Sequence, residues 1–151
     1  MSMPALGDAL LELDARVATL TLNRNDVRNA LTGTRLIDDI VTVADWVNGR
    51  DDVSVLVVTG AGSAFSAGGN VKDMAERGGD FAGDVAEVAT RYRRGIQRIP
   101  LALQNVEIPI IAAVNGPAIG AGFDLVVLNG AGRVGNLRFA SAELFEAAAG
   151  S

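Results

Sequence analysis

Two well-separated segments, residues 65–71 and 113–122, each pass from an apolar run into a turn rich in glycine and alanine. The residues after each turn are typical of the start of a helix. A helix N-terminus presents backbone N–H groups without intrahelical acceptors, and partial positive charge collects there. Two such turns facing each other would form a pocket for a developing negative oxygen. The sequence therefore predicts strand–turn–helix units whose main chain can perform chemistry.

The composition leaves few alternatives to main-chain chemistry. The 151 residues include no histidine and no cysteine, so disulfides, thiolate nucleophiles and imidazole bases are excluded, and we expect no metal site. With 13 basic and 18 acidic residues, the net charge of −5 gives no global reason to bind nucleic acid or an anionic membrane. Arginines at positions 91, 93, 94 and 98 are typical of a solvated helix face, and a local anion contact stays open.

No segment of the sequence is typical of export or of membrane insertion. Residues 1–8 lack a basic region followed by an apolar stretch, and no apolar run approaches the ~20 residues that span a bilayer. The absence of cysteine fits a reducing compartment. We therefore expect a single globular domain located in the cytoplasm.

The spacing of apolar residues predicts an alternation of strands and helices. The predicted elements are a hairpin at 10–13 and 17–22, a helix capped by Thr32 and ending at 48–49, a strand at 53–59, a short helix at 71–77, a long helix at 81–103 kinked at Pro100, and a strand at 110–114. Strands that alternate with helices favour an α/β fold with parallel strand pairs.

Three motifs within residues 8–125 resemble the crotonase superfamily, the enoyl-CoA hydratase/isomerase family. They occupy residues 19–31, 64–74 and 109–125, in the family's order. Ordered motifs at family-like spacing are far more specific than a single glycine turn, whose simplest explanation is a tight strand-to-helix connection. The resemblance implies an α/β fold of the crotonase type, a spiral of ββα units.

The resemblance also implies the substrate and the main catalytic device. The substrate would be a thioester of coenzyme A, with no separate cofactor, and an enolate oxygen would sit between two backbone N–H groups. By motif position these donors would be Gly69 and Ala121. The residues expected to bind coenzyme A are Arg28, Ala30, Ala67, Gly69, Asn70, Val71 and Lys72.

The acid and base are less closely matched. The family's hydratases use two glutamates, and the first position holds Asp124, whose alternative explanation is an aspartate favoured by a helix dipole. The second candidate is Glu143, just beyond a strand expected around Phe139, and Glu146 stays open as an alternative. A single carboxylate would favour isomerase, decarboxylase or thioesterase-like chemistry over hydration.

Length is the main departure, because family members are usually much longer. We expect residues 1–125 to form a crotonase-like N-terminal core and 126–151 a divergent C-terminal tail, with the fold truncated before the C-terminal helical region. The favoured function is an enoyl-CoA hydratase or isomerase of fatty acid metabolism, acting as a trimer-based homo-oligomer.

Two other functions stay open. The first is an inactive remnant that binds coenzyme A or a full-length relative at most, so whether the chain is an enzyme is undecided. The second, a Rossmann-type dinucleotide domain, ranks last, because no Gly-x-Gly-x-x-Gly follows the first strand with an acidic residue ~20 positions on.

Overall fold

A five-stranded sheet organises the part of the chain that the computed structural model describes, namely residues 3–69, 95–119 and the backbone of 137–141. In their order across the sheet, the strands are β1 (Ala9–Asp14), β2 (Val17–Leu22), β3 (Val55–Gly60), β4 (Ile110–Val114) and β5 (Leu137–Ser141). β1 pairs with β2 in antiparallel fashion, and the other neighbours are parallel. The described residues also form helices α1 (Leu36–Val47) and α2 (Arg98–Gln104) and a 3-10 turn at Asn25–Val27.

The predicted hairpin is confirmed. Ala15 and Arg16 connect β1 to β2 with φ values of 48° and 71°, which is the left-handed pair of a two-residue hairpin turn. Asp14 then pairs with Val17, and the register continues to Ala9 opposite Leu22. The strands predicted at 53–59 and 110–114 are also present, the first of them shifted slightly to Val55–Gly60.

One face of the sheet packs against both described helices. The strand residues on this face are Ala18, Leu20, Leu22, Leu56, Val58, Ile110 and Ala112. The helices contribute Leu36, Ile40, Val43, Val47, Ile99 and Leu103 to the same cluster. Because side chains alternate between the faces of a strand, Val57 and Ala113 lie on the opposite face, where they are also buried.

The first helix begins later than predicted, so the N-cap assigned to Thr32 is wrong. α1 begins at Leu36, and Arg35 occupies its N-cap position. Leu31 donates its N–H to the Gly68 carbonyl, which commits the chain at this point to a bridge between loops rather than to a helical turn. The predicted end is confirmed, since Asn48 is the C-cap.

The second long helix also differs from its prediction. Residues 95–97 form a turn, and α2 begins only at Arg98. Pro100 therefore lies in the first turn of α2, where a backbone N–H would have no intrahelical acceptor, so it causes no kink. The rest of the predicted helix, 81–94, and the short helix predicted at 71–77 lie outside the described residues.

The C-terminal part of the chain adds a strand to the same sheet. β5 pairs with β4 in parallel, with Phe139 opposite Ala112. A strand around Phe139 was expected from the family pattern. Residues 137–141, within the segment predicted to be a tail, therefore extend the sheet of the N-terminal core.

Candidate functional site

Three loops meet beyond the carboxyl ends of β2, β3 and β4, at residues 23–31, 60–69 and 115–119. Isolated parallel bridges join Ala30 to Gly68 and Ser66 to Ala118. The middle loop therefore lies between the other two, as a strand lies between its neighbours. This arrangement brings the first glycine turn and the beginning of the second side by side.

Asn29 holds the first two of these loops together through a fully buried side chain. Its Oδ1 accepts the N–H of Arg24 at 2.7 Å, and its Nδ2 donates to the carbonyls of Ala61 and Ala64, each at 3.0 Å. Asn29 has a φ of 56°, a left-handed conformation that asparagine tolerates better than most residues. The amide thus satisfies three main-chain groups of two different loops.

Asn115 performs the matching task from the third loop. Its Oδ1 accepts the N–H of Gly60 at 3.1 Å, and its Nδ2 donates to the carbonyls of Gly62 and Ala64 at 3.2 and 3.1 Å. Position 60 has no room for a side chain, because a Cβ there would lie 2.6 Å from the Ala64 carbonyl oxygen and 2.7 Å from that of Phe65. The glycine ending β3 is therefore required by close backbone approach.

Among the described residues of the first glycine turn, 65–69, the N–H groups of Gly68 and Gly69 differ in their hydrogen bonds. Gly68 donates its N–H to the Ser66 hydroxyl at 3.0 Å and accepts the N–H of Leu31 at 2.6 Å. The N–H of Gly69, in contrast, has no acceptor within the part of the chain that the structure describes. Since the C=O and N–H of a trans peptide point in opposite directions, the Gly69 N–H points away from Leu31.

An arginine side chain stands at the edge of this turn. The carbonyl of Arg28 accepts the N–H of Ala67 at 2.9 Å, so the main chain of residue 28 is fixed, with a φ of 53°. The Arg28 side chain is exposed, and among the described residues no acidic side chain forms an ion pair with it. An anionic ligand could therefore reach it.

A second arginine anchors the beginning of the same loop. The Arg24 guanidinium contacts Asp26 at 2.9 Å and Asp8 at 3.1 Å. Its hydrogen bond to Asp26 is the main cause that lowers the pKa of that carboxyl, which a coulombic contribution from the same arginine lowers further. The same hydrogen bonds raise the pKa of Arg24. Arg24 is thus paired with two aspartates, whereas Arg28 has no acidic partner among the described residues.

The structure describes only some of the predicted site residues. Arg28, Ala30, Ala67 and Gly69 lie within the three loops, where the backbone contacts above bring them together. The other predicted site residues lie outside the described residues: Asn70, Val71, Lys72, Ala121, Asp124 and Glu143. In the described ranges, no group of three or more acidic side chains could hold a metal ion, and no helix is long and apolar enough to cross a membrane.

Sequence reasoning missed the residues that fix these loops, above all Asn29, Ser66 and Asn115. Their side chains form hydrogen bonds with main-chain groups that are distant in the sequence. Such bonds leave no signal in the spacing of apolar residues along the chain. One local signal existed, because a serine two residues before a glycine is typical of a turn in which the hydroxyl binds the N–H two positions on.

Comparison with known proteins identifies the class to which this fold and these loops belong. The structure is similar to the crystal structure of an enoyl-CoA hydratase from Mycobacterium smegmatis, with a TM-score of 0.68 and 30% sequence identity over 80% of this chain and 45% of that one. The predicted α/β fold of the crotonase type is thereby confirmed. The sequence model of the enoyl-CoA hydratase/isomerase family matches residues 12–129, and the chain belongs to that family.

Two curated relatives show the extent of the match. A probable enoyl-CoA hydratase of Mycobacterium tuberculosis is 38% identical over 119 residues, which are 78% of this chain and 43% of that protein. The 2,3-dehydroadipyl-CoA hydratase of Escherichia coli K12 is 34% identical over 123 residues, which are 82% of this chain and 44% of that protein. The chain therefore spans less than half the length of the curated relatives that it matches.

Proposed function

We propose that this chain binds an acyl-CoA thioester and stabilises the enolate formed from it, as part of an enoyl-CoA hydratase or isomerase. The thioester oxygen accepts hydrogen bonds from the N–H groups of Gly69 and Ala121. No separate cofactor is needed, because coenzyme A arrives as part of the substrate.

The observation that carries this proposal is that the N–H of Gly69 has no acceptor among the residues that the structure describes. The turn around it is fixed by hydrogen bonds, since both polar main-chain groups of Gly68 are bonded. A donor that is held in place before the substrate arrives needs no reorganisation when negative charge develops, which is the source of its catalytic effect. The family supplies the matching ligand class, a thioester whose carbonyl oxygen becomes negative.

The remaining parts of the proposal rest on sequence. Asp124 serves as the acid or base and Glu143 as a second carboxylate, with isomerase chemistry favoured if only one of them acts. The exposed guanidinium of Arg28, with Ala30, Ala67 and residues 69–72, binds the coenzyme A portion. The protein acts in fatty acid metabolism in the cytoplasm, as a trimer-based oligomer.

The test removes the N–H group of residue 69. Gly69→Pro lacks the donor, whereas Gly69→Ala keeps it and serves as the matched control. Loss of one such donor typically lowers the rate by ~10²–10³. We expect crotonyl-CoA turnover, followed by the absorbance of the conjugated thioester, to fall by about this factor in Gly69→Pro only.

The outcomes separate the two functions left open by the sequence. Equal turnover in both variants would exclude Gly69 as a donor. Binding of crotonyl-CoA by the wild-type chain without any turnover would favour the inactive remnant. A wild-type chain that neither binds nor converts the thioester would overturn the proposed function.

A further inference from the structure

Ser66 is the residue at which all three loops of the site meet. Its side chain is fully buried. Its main chain belongs to the bridge with the third loop, since its N–H faces the Pro117 carbonyl at 3.3 Å and its carbonyl accepts the N–H of Ile119 at 3.0 Å. Its hydroxyl donates to the Asn29 carbonyl at 2.7 Å and accepts the N–H of Gly68 at 3.0 Å.

The Ser66 hydroxyl restrains a flexible part of the main chain, because Gly68 and Gly69 follow Ala67. Without a Cβ, the peptide planes around Gly68 and Gly69 can rotate with little steric resistance. Two hydrogen bonds oppose such rotation in this structure. The N–H of Leu31 donates to the carbonyl of Gly68 and so holds the peptide between Gly68 and Gly69. The hydroxyl of Ser66 accepts the N–H of Gly68 and so holds the preceding peptide.

The conformation of Gly68 explains how loss of the Ser66 hydroxyl would change the direction of the Gly69 N–H. Gly68 has a φ of 74° and is buried. Deleting the hydroxyl would leave a buried N–H without its acceptor, and a buried unpaired donor favours any rotation that finds a new partner. Such a rotation would change the direction of the next N–H, which is that of Gly69.

We propose that Ser66 is a positioning residue, whose hydroxyl fixes the Gly68 peptide so that the Gly69 N–H stays directed at the substrate oxygen. This inference rests on the proposed function, because it assumes that Gly69 donates to a thioester. It adds a residue that touches no substrate. The same serine also sets the separation of the two glycine turns through its bonds to Pro117 and Ile119.

The first test needs no activity. In the wild-type chain the Gly68 amide should exchange slowly with solvent, and in Ser66→Ala its exchange should rise about tenfold or more, as expected for loss of one hydrogen bond. The Leu31 amide should keep its protection, which shows that the loops remain folded. Ser63→Ala removes an exposed hydroxyl of the same loop and should change neither amide. Unchanged Gly68 exchange in Ser66→Ala would overturn the proposal.

The second test measures the polarisation of the bound thioester. A carbonyl that accepts a hydrogen bond from Gly69 vibrates at lower frequency, so Raman spectra of bound crotonyl-CoA should show a smaller shift in Ser66→Ala than in the wild type. The turnover rate should fall about tenfold while KM changes little. If Ser66→Ala does not fold, Ser66→Cys is the second variant. It fills the site with a slightly larger and weaker hydrogen-bonding group and should give an intermediate shift.

The two proposals can fail separately. A wild-type chain that shows no carbonyl shift would overturn the role of Gly69, and with it the positioning role of Ser66. A normal shift in the wild type that persists unchanged in Ser66→Ala or Ser66→Cys would overturn the role of Ser66 alone.

Discussion

Asn29 illustrates how much of this site depends on single buried amides. Its side chain forms hydrogen bonds with three main-chain groups from two loops. Its own main-chain carbonyl accepts a hydrogen bond from the hydroxyl of Ser66. No water can replace these partners, because the side chain is fully buried. Leaving a buried polar group unpaired lowers the stability of the fold by more than a typical hydrogen bond adds to it. The residue therefore stabilises the loops and at the same time fixes the turn that carries Gly69.

Replacement of Asn29 should destabilise the protein strongly. Asn29→Ala removes the side-chain partners of the Arg24 N–H and the Ala61 carbonyl, and leaves the Ala64 carbonyl with Asn115 alone. It also places alanine at a φ of 56°, so we expect the free energy of unfolding to fall by about 2–4 kcal/mol. Asn29→Gly removes the same hydrogen bonds without the backbone strain, so its free energy of unfolding should fall by less than that of Asn29→Ala. Chemical denaturation measures both.

The control for Asn29 is another asparagine of the same loop. Asn25 is exposed and accepts the N–H of Ser63 at 3.2 Å, where water can take its place. Asn25→Ala should therefore cost less than about 1 kcal/mol. Equal losses for Asn25→Ala and Asn29→Ala would show that burial of the amide does not matter here.

At the scale of elements, a buried carboxylate joins α1 to the chain that enters β1. Asp39 lies on the inner side of α1 and is 4% exposed. It accepts the N–H groups of Gly7, Asp8 and Ala9 at 2.8, 2.7 and 2.8 Å. Hydrogen bonds to an ionised acceptor are stronger than those between neutral groups. The helix thus determines where the edge strand of the sheet begins.

We expect Asp39→Asn to weaken this attachment. An asparagine amide has only one accepting oxygen and would direct an N–H₂ group at backbone donors, so the free energy of unfolding should fall by about 2–3 kcal/mol. Asp38→Asn, on the exposed side of α1, loses only a surface ion pair with Arg98 and should cost less than about 1 kcal/mol. The proposed attachment predicts that hydrogen exchange in β1 rises in Asp39→Asn alone, and unchanged exchange there would contradict it.

For the whole molecule, the sequential order of the strands decides the architecture. β1 to β5 lie side by side in chain order, so each parallel crossover steps in the same direction. Right-handed crossovers that step in one direction place their helices on one face of the sheet, and α1 and α2 do share a face. A doubly wound dinucleotide domain instead reverses its strand order at a switch point. No such reversal occurs among the described strands, which argues against the Rossmann alternative.

Ligand binding should distinguish the same two architectures in solution. If the chain binds crotonyl-CoA, a ligand concentration of about 100 times Kd should stabilise the fold by about 2.7 kcal/mol and raise Tm by roughly 5–10 °C. NADH at the same concentration should not raise Tm. A rise with NADH equal to that with crotonyl-CoA would contradict the specificity proposed for this site.

The elements with strong local patterns were predictable, and the contacts that fix the loops were not. The run at Ile110–Val114 is continuous and apolar, and it forms β4 as predicted. In contrast, Thr32 has the chemistry of a helix cap but not the role, because the nearby chain pairs with Gly68 instead. A cap is a local preference, and a bridge between distant loops overrides it.

The candidate site divides in the same way. Family motifs in the sequence predicted Gly69 as a donor, and its N–H is unengaged within the described part of the chain. The same motifs cannot show that Leu31 and Ser66 hold the two peptides before it, since those hydrogen bonds depend on loops meeting in space. Nor could the sequence indicate that Asn29 and Asn115 share the Ala64 carbonyl.

The sequence by itself determined the family, the α/β class and the absence of histidine and cysteine chemistry. Composition, apolar periodicity and motif order can all be read along the chain without knowing which segments meet in space. Only the tertiary structure decided that Gly68 donates its N–H to Ser66, while the N–H of Gly69 has no acceptor among the described residues. Hydrogen-bond satisfaction is a property of groups brought together by folding, so no single segment contains it.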